Sequence, residues 1–111
     1  MKDSISFDEF QSLDIRIGTI TAVDDFAHAR KPAYQLTIDF GDLGIKHSSA
    51  QITDLYQKTD LINRQIVALV NIPPRQIAGF QSHCLVMGVL DNQGVILLAP
   101  ENLVPNGSQV S

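Results

Sequence analysis

The side chains that could do chemistry are few in this sequence and lie far apart. The three histidines, His28, His47 and His83, show no metal-ligand spacing, and the single cysteine, Cys84, has no partner thiol. His47 and Ser48 are neighbours on a predicted strand, so their side chains point to opposite faces and cannot pair as base and nucleophile. There is no glycine-rich dinucleotide loop and no Walker loop. We therefore predict a binding protein that is not an enzyme, with no cofactor and no metal site.

The loop from Asn71 to Ser82 is the segment best suited to hold binding groups. Apolar runs flank it, Ile66–Val70 before and Cys84–Met87 after, and they predict two buried strands. A Pro-Pro pair inside the loop removes two backbone donors, so the loop cannot extend the preceding ladder. Loops on rigid scaffolds often carry binding groups, and this one should hold Arg75 and Gln76 in fixed, exposed positions. The alternative is a plain connection that contains two prolines.

The elements that position these residues are predicted to be mostly short strands, with a helix in front. Ser6 and Glu9 form a capping-box pattern for a helix from Phe7 to Ser12. After Gly18 the apolar side chains of the first strand change parity, which predicts a β-bulge at that glycine. Small helical turns are expected between Ile52 and Ile62. The predicted strands are Asp14–Asp24, Tyr34–Phe40, Ile45–Ala50, Gln65–Ile72, Ser82–Leu90, Val95–Ala99 and, at the end, Gln109–Ser111.

Strands of this number and length indicate a closed or nearly closed β-barrel of the oligonucleotide/oligosaccharide-binding (OB) type, with an open sandwich as the alternative. In the third strand, which is polar apart from its ends, we expect Lys46, Ser48 and Ala50 to face outward from a solvated edge.

Length and charge limit what the chain can be. Its 111 residues predict one domain, with an N-terminal arm and helix over 1–13 and a body over 14–111. The net charge of −4 counts against strong non-specific nucleic-acid binding unless a local basic patch forms. No apolar run approaches the ~20 residues needed to span a bilayer, and the first residues lack a signal-peptide pattern. With one cysteine in an apolar run, we expect a cytoplasmic protein without membrane insertion.

Four pieces of the chain, in this order, resemble the motifs of the tRNA-binding domain family. Members of that family occur appended to methionyl- and phenylalanyl-tRNA synthetases and as small free-standing dimers. The pieces are Asp14–Ile20 (Asp-Ile-Arg-Ile-Gly-Thr-Ile), Ile38–Gly41 (Ile-Asp-Phe-Gly), Asn71–Gly79 together with Ser82, and Pro105–Gly107 (Pro-Asn-Gly).

Within that family, three segments resemble the CsaA-like group of protein-export chaperones: Ala29–Ala33, Ile45–Lys46 with Ser48–Ile52, and Asn71–Phe80. The resemblance covers the chain from Phe7 to Val110. It implies a five-stranded OB barrel and a homodimer whose contact is supported by the N-terminal helix and C-terminal segments. It also implies binding of unfolded or pre-export polypeptides through apolar pockets, together with basic patches that suit tRNA.

Five residues are candidates for tRNA binding: Arg30, Lys31, Lys46, Arg75 and Ser82. The cations among them could converge into a patch that contacts phosphates without reading sequence. The alternative interpretation is that they are solvated surface groups, and an alternative function is a module that binds RNA only, with no chaperone role.

Four apolar residues are candidates for polypeptide binding or dimer contact: Phe7, Phe10, Ile77 and Phe80. Apolar pockets rimmed by polar groups suit weak capture of extended peptide. These side chains could equally belong to the core. A third possible function is an interaction domain that only dimerises.

Overall fold

Most of the regular secondary structure is β-sheet in the protein, a computed structural model that describes residues 1–111. Helices are short: α1 is Phe7–Gln11, α2 is Lys58–Leu61, and a 3-10 turn covers Gly41–Leu43. The strands are β1 Ile15–Asp25, β2 Tyr34–Asp39, β3 Ile45–Ala50, β4 Gln65–Leu69, β5 Arg75–Ile77, β6 Phe80–Ser82, β7 Leu85–Val86, β8 Gly88–Asp91, β9 Gly94–Leu97 and β10 Gln109–Val110.

The predicted capping box starts helix α1 as expected. The backbone N–H of Glu9 donates to the Ser6 hydroxyl at 3.0 Å, and the Ser6 N–H donates to the Glu9 carboxylate at 3.1 Å. These two bonds satisfy amide groups that a helix N-terminus otherwise leaves unpaired. The helix ends at Gln11, one residue before the predicted end.

Five antiparallel strands form the barrel in the order β3-β2-β1-β4-β7, and β10 is a sixth strand in the same sheet. Residue Ile15 of β1 pairs with Leu69 of β4 and with Val110 of β10, so the two partners lie on opposite edges of β1. The all-β, OB-type fold with small helical elements is therefore confirmed.

The barrel closes along a short seam between β3 and the segment Ser82–Cys84. The N–H of His83 donates to the carbonyl of His47 at 2.8 Å. Two serine hydroxyls complete the seam: Ser82 accepts from the N–H of Ser49 at 3.2 Å, and Ser48 donates to the carbonyl of Cys84 at 3.1 Å. Side chains thus replace part of the strand ladder at the point of closure.

Two apolar layers lie on opposite faces of β1. The barrel interior contains Ile20 together with Leu36, Ile38 and Phe40 of the second strand region, and all four are fully buried, as the alternation in β2 predicted. The outer layer is formed by Ile15, Ile17 and Val67, and Val104 and Val110 of the C-terminal segment pack against it.

The predicted bulge at Gly18 is wrong in its position. The pairing of β1 with β4 is regular through Gly18, and the register of β1 with β2 shifts only between Ile20 and Ala22. The large apolar side chains change from odd to even positions because β1 is buried on both faces. Ile17 points to the outer layer, whereas Gly18 and Ile20 point into the barrel. A Cβ on Gly18 would lie 2.7 Å from Ile38 and Phe40, so the glycine allows a close approach inside the barrel.

The predicted orientation of β3 is also wrong. Ser48 and Ala50 are buried and face the barrel interior, whereas His47 and Ser49 on the other face are half-buried. The hydroxyl of Ser48 is satisfied by the seam, and this hydrogen bond lets a polar side chain occupy an interior position. The polar and apolar pattern of the sequence could not reveal this orientation, because a buried serine and a solvent-exposed serine give the same pattern.

The segment predicted as one strand, Ser82–Leu90, is divided among three pairings. β6 pairs with β5, β7 with β4, and β8 with β9. The loop that holds Arg75 is itself a hairpin, and Ala78 and Gly79 form its two-residue turn with φ values of 48° and 82°. Both central residues of such a turn need positive φ, which glycine adopts without strain.

Replacing Gly18 with alanine should destabilise the protein. The new methyl group would overlap the Phe40 ring and the Ile38 side chain, and overpacking of this kind costs about 1–3 kcal/mol in the free energy of unfolding. Urea unfolding monitored by circular dichroism measures the change. Thr21→Ser, at an exposed position on the same strand, keeps the hydroxyl that donates to the Thr37 carbonyl; it is the control and should change stability by less than about 0.5 kcal/mol. Equal stability of Gly18→Ala and the parent would show that the barrel relaxes around the methyl group.

Candidate functional site

Three cations converge on one groove, which we call the cationic groove. Arg30 and Lys31 reach it from the loop between β1 and β2, and Arg75 reaches it from β5. The groove has a volume of about 260 Å³, and its remaining lining is Ala29, Ala33, Ser49, Gln51 and Ile77. In OB barrels these loops and the β2–β3 face are where polymers commonly bind.

Aromatic packing fixes the two segments that carry the cations. Phe26 at the start of the first loop is buried, and its N–H donates to the carbonyl of Ala33 at 3.2 Å, which closes the loop. Its ring meets the ring of Phe80 edge-on, with 5.4 Å between centroids, and Phe80 also packs against His47 of β3 at 6.2 Å. Phe80 therefore anchors the hairpin of Arg75 to the loop of Arg30 and Lys31.

A larger, apolar groove continues from the cationic one. It has a volume of about 600 Å³, and we call it the apolar groove. Four residues line both grooves and form a shared wall: Ser49, Gln51, Arg75 and Ile77. Beyond that wall the apolar groove is lined by Ala50, Ile52, Leu85, Val86, Met87, Gly88, Leu90 and Val95.

The electrostatics of the two grooves differ from those of the whole chain. The protein has eight lysines and arginines against twelve acidic residues, yet no Asp or Glu lines either groove. Two other cations are engaged elsewhere, Arg16 with Asp14 and Lys58 with Asp25. Nucleic-acid binding by a chain with a negative net charge requires a local basic patch. The three converging cationic side chains form such a patch.

The lone thiol lies beneath the seam and takes no part in this surface chemistry. Burial raises the pKa of Cys84 to about 11, although the Lys46 charge and a hydrogen bond with Ser48 act in the opposite direction. The thiol is therefore protonated at neutral pH, and a thiol rather than a thiolate is a poor nucleophile.

No group of three or more His, Cys, Asp or Glu side chains is arranged to hold a metal ion. Neither helix is long and apolar enough to cross a bilayer.

Comparison with known proteins assigns the chain to a family. The family profile described as "Putative tRNA binding domain" matches residues 15–109. The chain belongs to the tRNA-binding domain family. Among solved structures, the chaperone CsaA from Bacillus anthracis is 51% identical with a TM-score of 0.92, and the alignment covers 98% of this chain and 100% of that one. The CsaA chaperone protein from Picrophilus torridus is 50% identical with a TM-score of 0.92, over 97% of this chain and 100% of that one.

The same tRNA-binding domain occurs within larger enzymes. Methionine–tRNA ligase from Thermococcus onnurineus is 31% identical over 106 residues, which is 96% of this chain. The chain spans only 14% of that ligase, so the likeness concerns the domain alone. Together with the solved structures, these matches show a CsaA-like tRNA-binding domain protein.

Of the five residues predicted for tRNA binding, the structure brings three together. Arg30, Lys31 and Arg75 line the cationic groove. Lys46 is half-buried on β3 and does not line it. Ser82 is buried, and its hydroxyl is engaged in the seam, where it holds β3 against the hairpin of Arg75.

The four apolar candidates fall into different places in the tRNA-binding domain. Ile77 belongs to the shared wall, whereas Phe80 is the anchor that packs on Phe26 and His47. Phe7 and Phe10 lie with ring centroids 6.3 Å apart and line a separate terminal cavity of about 260 Å³. The rest of that cavity is Gln11, Leu13, Gln109, Val110 and Ser111.

Sequence reasoning missed several residues that line the two grooves. Ser49 and Gln51 follow one face of β3 and its extension, and a correct orientation of β3 would have identified them. Leu90 is the last residue of the predicted strand Ser82–Leu90, but its side chain is 86% exposed near the tip of the β8–β9 hairpin. The residues that follow it, Asp91-Asn92-Gln93-Gly94, have the composition of a hairpin turn, and this pattern indicates that Leu90 lies beside a hairpin end.

Proposed function

We propose that this chain is a CsaA-like homodimeric chaperone that binds unfolded or pre-export polypeptides in the cytoplasm and also binds tRNA. The observation that carries the proposal is the pair of adjoining grooves, one cationic and one apolar, joined by the shared wall of Ser49, Gln51, Arg75 and Ile77. Similarity to two CsaA chaperones over nearly the whole chain supports it.

The apolar groove has the features expected of a surface that captures extended polypeptide. Leucine, valine and methionine side chains line it, and polar Ser49 and Gln51 border it. A concave apolar surface with polar borders suits binding of an extended polypeptide, and the mixed borders allow sequence-tolerant binding. A polypeptide chain would bury Leu90, which is otherwise almost fully in solvent.

The cationic groove supports tRNA binding as the second activity, and also as a candidate function of its own. Three cations without an acidic neighbour form a site for phosphate groups, and guanidinium groups such as those of Arg30 and Arg75 bind phosphate oxygens in pairs. Contacts of this type recognise backbone shape rather than sequence.

Leu90→Ser should weaken polypeptide binding about tenfold, because it removes roughly 1.5 kcal/mol of apolar burial. Fluorescence anisotropy of a labelled, reduced and carboxymethylated protein that cannot refold measures the affinity. Leu103→Ser is a matched control, since Leu103 is 84% exposed, compared with 86% for Leu90, but lies outside the groove. Sedimentation velocity of both variants checks that their assembly is unchanged. Equal affinities of the two variants, or no saturable binding by the parent, would contradict the chaperone proposal.

Lys31→Ala and Arg75→Ala should each weaken tRNA binding about fivefold at physiological salt and lower the salt slope of log K by about one. The physical reason is the loss of one phosphate contact with its released counterion. Filter binding of unfractionated tRNA at several salt concentrations measures both quantities. Lys2→Ala removes the same charge from the N-terminal arm and is the control. If Lys2→Ala weakens binding as much as the groove variants, net charge and not the groove determines affinity.

The terminal cavity supports the dimer part of the proposal. Phe7 is 70% exposed, so a single subunit gains little from it, whereas a partner subunit could bury it. We expect Phe7→Ala to raise the dimer dissociation constant about a hundredfold, because roughly 1.5 kcal/mol of apolar burial is lost at each of the two Phe7 side chains of a symmetric dimer. Sedimentation equilibrium measures this, with Leu43→Ala, another exposed apolar side chain outside the cavity, as control. A parent protein that stays monomeric at high concentration would overturn the dimer.

A further inference from the structure

The two grooves share a wall, and this geometry determines which ligands can be bound together. Arg75 and Ile77 are two residues apart on β5, so both side chains project from the same face of the hairpin. Ser49 and Gln51 have the same spacing on the opposite side, at the end of β3. A polymer that occupies either groove must pass these four side chains.

We infer that tRNA and unfolded polypeptide exclude one another on each subunit. The inference rests on the proposed function and adds to it how the two activities are related. Arg75 is needed by phosphate groups in the cationic groove, while the same side chain borders the apolar groove. A peptide segment held against Ile77 covers the stem of Arg75 and denies its guanidinium to phosphate.

Size supports the same conclusion. The subunit measures 40 × 32 × 27 Å and the two grooves adjoin along four shared residues, so little space separates a tRNA in one groove from a polypeptide in the other. Simultaneous binding would require one ligand to leave the shared wall.

Competition between the two ligands tests the inference directly. The labelled, carboxymethylated polypeptide is titrated with the protein at fixed concentrations of unfractionated tRNA. For exclusive binding, the apparent Kd of the polypeptide rises about elevenfold when free tRNA is ten times its own Kd, and displacement is complete at saturation. An unchanged apparent Kd, or a displacement curve that stops at a partial plateau, shows a ternary complex and overturns the inference.

Two variants, each altering one groove only, make the competition quantitative. Lys31 lines the cationic groove alone, so Lys31→Ala should leave polypeptide affinity unchanged and require about five times more tRNA for displacement. Leu90 lines the apolar groove alone, so Leu90→Ser should leave tRNA affinity unchanged. A Lys31→Ala protein that needs no more tRNA than the parent would place the RNA elsewhere and contradict the shared wall.

The outcomes separate this inference from the proposed function. If both ligands bind but do not compete, the proposed function stands and the exclusion is wrong. If one ligand shows no saturable binding alone, the proposed function fails for that ligand, and the exclusion fails with it.

Discussion

Closure of the barrel along the seam between β3 and Ser82–Cys84 is the interaction on which the binding surfaces depend. A sheet of five strands left open would expose two unpaired edges, which proteins generally avoid. Here the His47 carbonyl on the edge of β3 accepts from the His83 N–H and the Ser49 N–H donates to the Ser82 hydroxyl, while the Ser48 hydroxyl donates to the Cys84 carbonyl. No buried side-chain polar atom in the chain is left without a partner. Because Ser82 also ends the hairpin of Arg75, the bonds that close the barrel fix one wall of both grooves.

The first strand explains why the C-terminal segment must return to the barrel. Ile15 and Ile17 point away from the interior, and without a cover they would expose apolar surface to water. Val104 and Val110 provide that cover, and the N–H of Gly107 donates to the carbonyl of Ile17 at 2.7 Å. On the inner face of β1, the ring of Phe40 packs directly against the backbone at residue 18. Only a residue without a side chain fits there, and Gly18 occupies the position. The glycine of the family motif in β1 thus has a packing role.

Local signals in the sequence determined much of this structure, and the failures have a common cause. The capping box of α1, the ends of β3 and the inward residues of β2 depend on near neighbours in the chain, so pattern reasoning found them. The bulge position, the inward Ser48 and the division of Ser82–Leu90 depend on which strand lies opposite, and periodicity carries no such information. The candidate site divides in the same way. Cations on exposed loops were recognisable by type, whereas groove residues such as Ser49 and Leu90 became visible only when distant segments met.

The acidic total of the chain and its cationic groove are compatible because charge acts locally. At physiological salt, exposed charges more than about 8 Å apart are largely screened, so a phosphate group in the groove senses Arg30, Lys31 and Arg75 far more than carboxylates elsewhere. The acids that pair with Arg16 and Lys58 are engaged by those cations. The anchor Phe80 keeps the two cation-bearing segments together, and the seam holds the hairpin on which Arg75 and Ile77 project side by side. A single rigid hairpin therefore presents one charged and one apolar side chain to whatever polymer lies across it.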